Sequence, residues 1–320
     1  MEIEKKIWQL DCIRQKLFEL KDSSHAILIA SPDKILRDNF AKLLIMQEVC
    51  SSEQKPCFMC PNCKKVVDSN AVDVEVFGIG KQILVGDSAK IVADSFVVPL
   101  EFEKKYFVLT DFENATEQAQ NKLLKVIEEP QRFDKFVFLT GNLAPILPTI
   151  KSRTEIFFLP QLSTKELMYV FDDFDDKAKL SKAIEDADGS ITMCQQILDD
   201  QDYSKMFDLA TRLITSMQST AMMLDYSNEI LSFKGKLPQF LKILLSLFVD
   251  LLAQKSGREP KHIEIKSQFE IASHQYSVLA LTKIIEQINS ANAKLKVNLS
   301  QSEIVDNLLL KILEIKYICK

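Results

Sequence analysis

The chain has 320 residues, of which 47% are hydrophobic and 27% charged, and its formal net charge is −5. This is an ordinary globular composition, at a length that suggests two or three domains. The charge excludes a strongly basic nucleic-acid binder, so any DNA contact must be a local patch or belong to partners. The sequence has no run of about 18 uncharged apolar residues and does not begin like a signal peptide, which predicts no membrane span and a cytoplasmic location.

The first elements alternate between helix and strand. Residues 1–22 carry an apolar stripe at helical spacing, and His25–Ala30 is a short apolar run typical of a buried strand. Residues 34–49 are amphipathic and predict a second helix. A strand followed directly by a helix is the junction at which a P-loop ATPase binds phosphate.

This junction lacks the residues of a phosphate-binding loop. A P-loop needs Gly-x-x-x-x-Gly-Lys-(Ser/Thr), because bare backbone N–H groups wrap the phosphates. The segment here reads Ser31-Pro-Asp-Lys-Ile-Leu-Arg-Asp38, and no glycine precedes Gly78. Asp33 and Asp38 place negative charge where phosphate would lie, and we interpret Lys34 as a solvated residue of the helix start. We therefore predict a degenerate nucleotide pocket with Ser31 and Lys34 at its edge.

Four of the seven cysteines fall close together, at Cys50, Cys57, Cys60 and Cys63. Cys-x2-Cys steps let thiolates converge on one ion, and four thiolates complete a closed tetrahedral site. This pattern predicts one structural zinc ion rather than a disulfide framework, and a closed ligand set argues against a catalytic metal. The zinc module, residues 50–63, is expected to need its metal to fold.

The most informative stretch runs from residue 106 to residue 154. An apolar strand over 106–110 delivers Asp111 at its carboxyl edge, and Thr116 can cap a helix with one apolar stripe. Strands over 136–140 and 156–159 complete a βαβ unit with a right-handed crossover. An active Walker B strand usually ends in Asp-Glu, whereas Asp111 stands alone. We interpret Asp111 as a structural acid that caps the following turn.

Two motifs of this stretch resemble those of the AAA+ clamp-loader subunits. They are Asn-Lys-Leu-Leu-Lys-Val-Ile-Glu-Glu-Pro over 121–130 and Pro-Thr-Ile-Lys-Ser-Arg over 148–153. In that family, the arginine that corresponds to Arg153 reaches into the ATP site of the neighbouring subunit. Thr154 stands where the family usually has cysteine. The four-cysteine insert, placed between the first helix after the pocket and the next strand, is a second and separate similarity to the family.

The resemblance implies three parts. These are an α/β AAA+ domain with a parallel sheet and a degenerate P-loop over residues 1–160, a small helical lid over 161–200, and an all-α collar for oligomerisation over 201–320. The lid of the family carries Gly-Ser-x-x-Arg, whose arginine touches the γ-phosphate, and Met193 replaces that arginine here. With the altered pocket at Ser31–Asp38 and the single acid Asp111, this implies a subunit that does not hydrolyse ATP.

Arg153 is then the implied catalytic contribution, acting in trans as an arginine finger. The implied partners are tau/gamma and delta subunits and, through the complex, the sliding clamp and primed-template DNA. Two alternatives stay open, namely an ATP-hydrolysing tau/gamma-type subunit and an AAA+-like zinc scaffold outside replication. Direct DNA binding through Lys34 and Arg37, or through Lys122 and Lys125, is the less favoured interpretation. We expect these residues to lie on solvated helix faces.

The remainder of the chain is helical by pattern. Candidate helices span 204–217, 219–232, 238–255, 266–290 and 299–317. Leu237–Leu252 is apolar nearly all round, so it is expected to be buried in a bundle or in a subunit interface.

Overall fold

The computed structural model describes residues 2–20, 24–262, 265–295 and 300–319. The chain forms two compact units, one of residues 1–173 and 188–193 and one of residues 174–187 and 194–320. The elements of the first unit are, in chain order, α1 (Glu2–Gln9), α2 (Asp11–Glu19), β1 (Ala26–Ala30), α3 (Lys34–Val49), α4 (Pro61–Val67), β2 (Val74–Phe77), α5 (Val85–Asp94), β3 (Lys105–Leu109), α6 (Glu117–Glu128), β4 (Asp134–Thr140), α7 (Pro148–Lys151), β5 (Glu155–Phe158) and α8 (Thr164–Val170).

The strands form one parallel sheet in the order β2-β3-β4-β1-β5. Leu28 of β1 lies opposite Phe138 of β4 on one side and Ile156 of β5 on the other. Because parallel strands end at the same edge, the residues that follow β1, β3 and β4 meet there. The predicted parallel α/β fold is confirmed, and this edge holds the candidate site.

A core of phenylalanine and aliphatic side chains holds the sheet to its helices. The rings of Phe107 and Phe136 stack with centroids 5.2 Å apart. Ala119, Leu123 and Ile127 of α6 are buried in the same core, which confirms the predicted stripe. α6 begins where predicted, because its N-cap Thr116 accepts a hydrogen bond from the backbone N–H of Ala119 at 3.2 Å.

Two expectations for the first unit are wrong in detail. The described part of the predicted helix 1–22 forms two helices, because Leu10 adopts an extended conformation between α1 and α2 and is itself buried. Residues 1, 21 and 22 lie outside the described residues. The pattern predicts a helix over residues 88–96, but α5 begins earlier, at Val85. Its first turn is closed by Asp87, whose Oδ2 accepts a hydrogen bond from the backbone N–H of Leu84 at 2.9 Å. Leucine is not a usual N-cap residue, so the pattern gave no start signal there.

The second unit is helical throughout its described residues. Its helices are α9 (Lys177–Ala187), the later part of α10 (Ile191–Asp199), α11 (Tyr203–Ser216), α12 (Thr220–Ser232), α13 (Leu237–Lys255), α14 (Lys266–Ser273), α15 (Val278–Lys294) and α16 (Gln301–Ile318). The prediction of one helix over residues 266–290 is wrong, because the segment forms two helices, α14 and α15. Ser277 starts the second one by accepting a hydrogen bond from the N–H of Ala280 at 3.1 Å. Residue 299, the predicted start of the last helix, lies outside the described residues.

The apolar helix α13 is long and apolar enough to cross a membrane by length and composition alone. This is weak support for a span, because the core helix of a globular protein passes the same test. Its buried side chains include Phe240, Leu244 and Leu247, and it packs mainly against α11 and α15. The bundle-core prediction for this segment is therefore confirmed. The finer division into residues 1–160, 161–200 and 201–320 stays a prediction.

Candidate functional site

The start of α3 is already occupied by protein groups. Asp33 is 4% exposed and is the N-cap of this helix, accepting a hydrogen bond from the N–H of Leu36 at 3.1 Å. The same carboxylate accepts bonds from the backbone N–H of Ile191 at 2.5 Å and from the hydroxyl of Thr192 at 2.5 Å. Thr192 Oγ1 in turn accepts from the N–H of Ile35 at 2.8 Å. A helix N-terminus commonly binds an anion, and here a buried carboxylate of the chain takes that place.

Asp111 is held by two cations of α3. Arg37 Nη2 lies 2.7 Å from Asp111 Oδ1, and Lys34 Nζ lies 2.5 Å from Asp111 Oδ2. Arg37 is 2% exposed, and its Nη1 also donates to the backbone oxygen of Ser31 at 2.6 Å. Asp111 therefore bridges β3 to α3, and its carboxylate is engaged where a Walker B acid would hold magnesium.

These contacts correct two interpretations of the sequence. Asp111 does not cap the turn that follows it, since its side chain makes no cap hydrogen bond there. Lys34 is not merely solvated, because it pairs with Asp111 and lies 3.7 Å from Asp38 Oδ2. Sequence reasoning also missed the role of Arg37. The available signal for this role was a single basic residue four positions after Asp33, on the buried face of an amphipathic helix.

The end of β4 closes the same cluster. Glu113 Oε1 accepts a hydrogen bond from the backbone N–H of Gly141 at 2.9 Å. A Cβ atom at Gly141 would lie 2.9 Å from both Arg37 Nη1 and Glu113 Oε1, so only glycine fits without displacing them. The carboxyl edges of β1, β3 and β4 are thus joined through side chains of the protein.

Met193 lies in the first turn of α10, which begins beside Asp33 through Ile191 and Thr192. Gly189 precedes it with φ +78°, and a Cβ there would approach the backbone oxygen of Leu162 to 2.7 Å. The turn therefore needs glycine, as the Gly-Ser turn of the resemblance does. A thioether offers no N–H donor, so Met193 cannot replace an arginine that binds phosphate.

Arg153 follows α7, and its described contacts are with residues outside the Arg37–Asp111 cluster. Its Nε lies 2.6 Å from Oε1 of Glu128, the last residue of α6. Its Nη1 donates to the backbone oxygen of Thr149 at 3.0 Å and to Ser152 Oγ at 3.3 Å. The side chain is 38% exposed, so the guanidinium is fixed at its base and accessible from outside the unit.

The four cysteines converge as the spacing predicts. The sulfur atoms of Cys50, Cys57, Cys60 and Cys63 all lie within 4.8 Å of one another. Cys57 Sγ accepts from the N–H of Cys60 at 3.3 Å, and Cys60 Sγ accepts from the N–H of Cys63 at 3.4 Å. A metal–sulfur distance of about 2.3 Å in a tetrahedral site fits sulfurs at this separation. The cluster can hold one metal ion, and its closed thiol set fits a structural role.

The backbone around the cluster favours the thiolate form at Cys57 and Cys60. Amide hydrogen bonds from Met59 and Cys60 lower the pKa of the Cys57 thiol. Burial alone would raise the pKa of Cys60, but amide hydrogen bonds from Cys63 and Ser51 lower it to about 6. At Cys63, in contrast, burial raises the pKa of the thiol. Thiolates are the form that binds a metal, so the loop favours that form at two of its four ligands.

Comparisons with known proteins agree with this fold. A family described as "DNA polymerase III, delta subunit" matches residues 10–163. The chain is 23% identical over 300 residues to the DNA polymerase III subunit delta' of Bacillus subtilis, covering 91% of each protein. It is 24% identical over 223 residues to the subunit gamma/tau of Mycoplasma genitalium, covering 67% of this chain but only 37% of that protein. It likewise spans 21% of the gamma/tau protein of Mycoplasma pneumoniae.

One solved structure matches along nearly the whole chain. It is a DNA polymerase III gamma-subunit-related protein from Thermotoga maritima, with a TM-score of 0.50 and 18% identity, covering 96% of this chain and 100% of that one. The fold is thus the α/β AAA+ fold with a helical C-terminal part, as predicted. The family match and the delta-prime relative support a clamp-loader subunit of the delta-prime type.

Proposed function

We propose that this chain is a non-hydrolysing subunit of a bacterial DNA polymerase III clamp loader, and that it donates Arg153 to the ATP site of a neighbouring subunit. The observation that carries the first half is the pair of cations on Asp111. Magnesium would have to displace two ion pairs, and a phosphate would meet the buried carboxylate of Asp33 at the helix start. The alternative of a tau/gamma-type motor needs both sites open.

Three features support Arg153 as a finger. It lies in the motif that carries the finger in related subunits, it is accessible, and its base is fixed by Glu128 and Thr149. A guanidinium is planar and permanently charged, and it offers several donors in a fixed geometry. Such a group suits the charge spread over a transferring γ-phosphoryl, and a finger of this kind contributes about 10³–10⁵ in rate.

The remaining parts of the proposal concern assembly. We propose that the four cysteines bind one structural zinc ion, and that residues 201–320 form the collar through which the subunit joins its ring. The partners would be tau/gamma and delta subunits, and the assembled loader would place the sliding clamp on primed-template DNA in the cytoplasm. For the basic residues Lys34 and Arg37 a direct DNA role is disfavoured, since both are engaged by Asp111.

Steady-state ATP turnover of the reconstituted loader tests the proposal. Arg153→Ala is expected to fold normally and to slow hydrolysis at the ATP site that it completes. Arg132→Ala, which removes another exposed arginine of the same unit, is the matched control and should leave turnover unchanged. Unchanged turnover of the Arg153→Ala loader would refute the finger assignment.

A further inference from the structure

The ion pair between Arg153 and Glu128 joins the two motifs of the central stretch. Glu128 ends α6 and belongs to the Glu-Glu-Pro segment, whereas Arg153 follows α7. Glu128 Oε1 lies 2.6 Å from Arg153 Nε, with the two side chains 44% and 38% exposed. A pair this exposed contributes little to folding stability, because solvent screens both charges.

The contacts of Arg153 flank its guanidinium on two edges. Nε is taken by Glu128, and Nη1 donates to Thr149 O and to Ser152 Oγ. Within the described residues, no acceptor is bonded to Nη2. The plane of the group is therefore fixed, and the Nη2 hydrogens stay available for an oxygen that comes from outside the unit.

We propose that Glu128 is a positioning residue for Arg153, an inference that rests on the proposed finger function. An exposed arginine samples many rotamers, and ordering it on contact with a phosphate costs conformational entropy. An ion pair at Nε removes much of that freedom beforehand, without using the Nη2 donors. Glu128 thereby raises the fraction of molecules in which the finger is correctly aimed.

An inhibitory role of Glu128 would change the rate of ATP turnover in the opposite direction. If Glu128 instead restrained Arg153 and competed with the phosphate for it, removing the carboxylate would speed hydrolysis. The carboxylate lies against Nε, so a phosphate oxygen can approach Nη2 while the ion pair is kept. The geometry thus favours aiming over competition.

The experiment measures kcat and KM for ATP in the reconstituted loader that contains each variant. Glu128→Ala should lower kcat about two- to fivefold, the range that a single exposed ion pair supports, with KM unchanged. Glu128→Gln should recover part of the loss, because its amide oxygen keeps the polar contact with Nε but lacks the charge. The matched control is Glu129→Ala, an exposed carboxylate at the next position that has no ion pair with Arg153 in the described residues, and it should behave as wild type.

A double variant separates the outcomes. If Glu128 acts only through Arg153, adding Glu128→Ala to Arg153→Ala should cause no further loss. A normal or faster Glu128→Ala loader, or equal and additive losses in both backgrounds, would overturn the positioning role while leaving the finger intact. An Arg153→Ala loader with normal turnover would instead refute the proposed function on which the inference rests.

Discussion

Arg37 is buried against Asp111, with Nη2 and Oδ1 2.7 Å apart, at the point where α3 meets the carboxyl edge of the sheet. In a P-loop ATPase this point is where phosphate and magnesium meet the protein. Here the two side chains of the ion pair supply the charges at this point, in place of phosphate and magnesium. The contacts of Arg37 therefore stabilise the junction of β1, β3 and α3.

Removing Arg37 should destabilise the fold more than removing Lys34. Arg37→Ala leaves Asp111 without its buried partner, and breaking a buried ion pair typically lowers the free energy of unfolding by about 3–5 kcal/mol. Here we expect a loss of about 2–3 kcal/mol, because Asp111 is partly solvated and keeps its ion pair with Lys34. Lys34→Ala removes a half-exposed partner of the same carboxylate and should cost less than about 1 kcal/mol. Urea unfolding of the two variants measures the difference, and equal losses would contradict the assignment of Arg37 as the main partner.

The cysteine cluster should bind one zinc ion per chain. Elemental analysis of the purified protein should give a ratio near one, and Cys60→Ser should abolish it, because three thiolates leave the site open. Cys12→Ser lies outside the cluster and is the control. After chelation, we expect faster proteolysis within residues 50–63, since the module relies on the metal for its fold. A zinc-free protein with an equally resistant module would show that the thiols are simply buried cysteines.

A buried histidine of the second unit predicts the pH dependence of stability. His262 is 1% exposed, with Nδ1 2.6 Å from Asp250 Oδ2 and Nε2 3.2 Å from Asp186 Oδ1. The hydroxyl of Tyr203 donates to Asp186 as well. Burial alone would lower the pKa of His262, but the two carboxylates raise it from 6.5 to about 9. The imidazolium is thus the form that the folded unit prefers.

The sign of this effect follows from proton binding. Between pH 6.5 and about 9 the folded unit binds the His262 proton more tightly than the unfolded chain does, so stability is full below this range and falls as pH rises through it. The loss amounts to about 3 kcal/mol. Urea unfolding at several pH values measures it, with His262→Gln expected to flatten the slope and the exposed His274→Gln expected to keep it. A wild-type slope of zero would contradict the charged triad.

The sequence predicted those features that depend on local pattern. The strands, the α6 stripe, the Thr116 cap and the four-cysteine cluster followed from periodicity, capping chemistry and ligand spacing. The pairing of Arg37 with Asp111 could not be read in that way, because the two residues are 74 positions apart and meet only when β3 lies beside β4 and β4 beside β1. The hydrogen bond between Asp33 and Ile191 could not be read from local pattern either, because the two residues are 158 positions apart in the sequence.

Glu128 shows the same limit at a shorter range. Its motif was recognised, but the partner of its carboxylate depends on how α7 turns back towards the end of α6. The break of the predicted helix 266–290 has a different cause. Ser277 is an ordinary N-cap residue, yet the apolar positions on both sides of it are compatible with one continuous helix.

The central claim is tested most directly by equilibrium binding of ATP–Mg²⁺ to the purified, zinc-loaded protein, with a P-loop ATPase as positive control. The occupied contacts of Asp33 and Asp111 predict no binding up to millimolar nucleotide. Micromolar binding would contradict the account, because it would mean that the ion pairs of Asp111 open to admit a phosphate and its metal. The chain would then have to be regarded as a motor subunit of the loader.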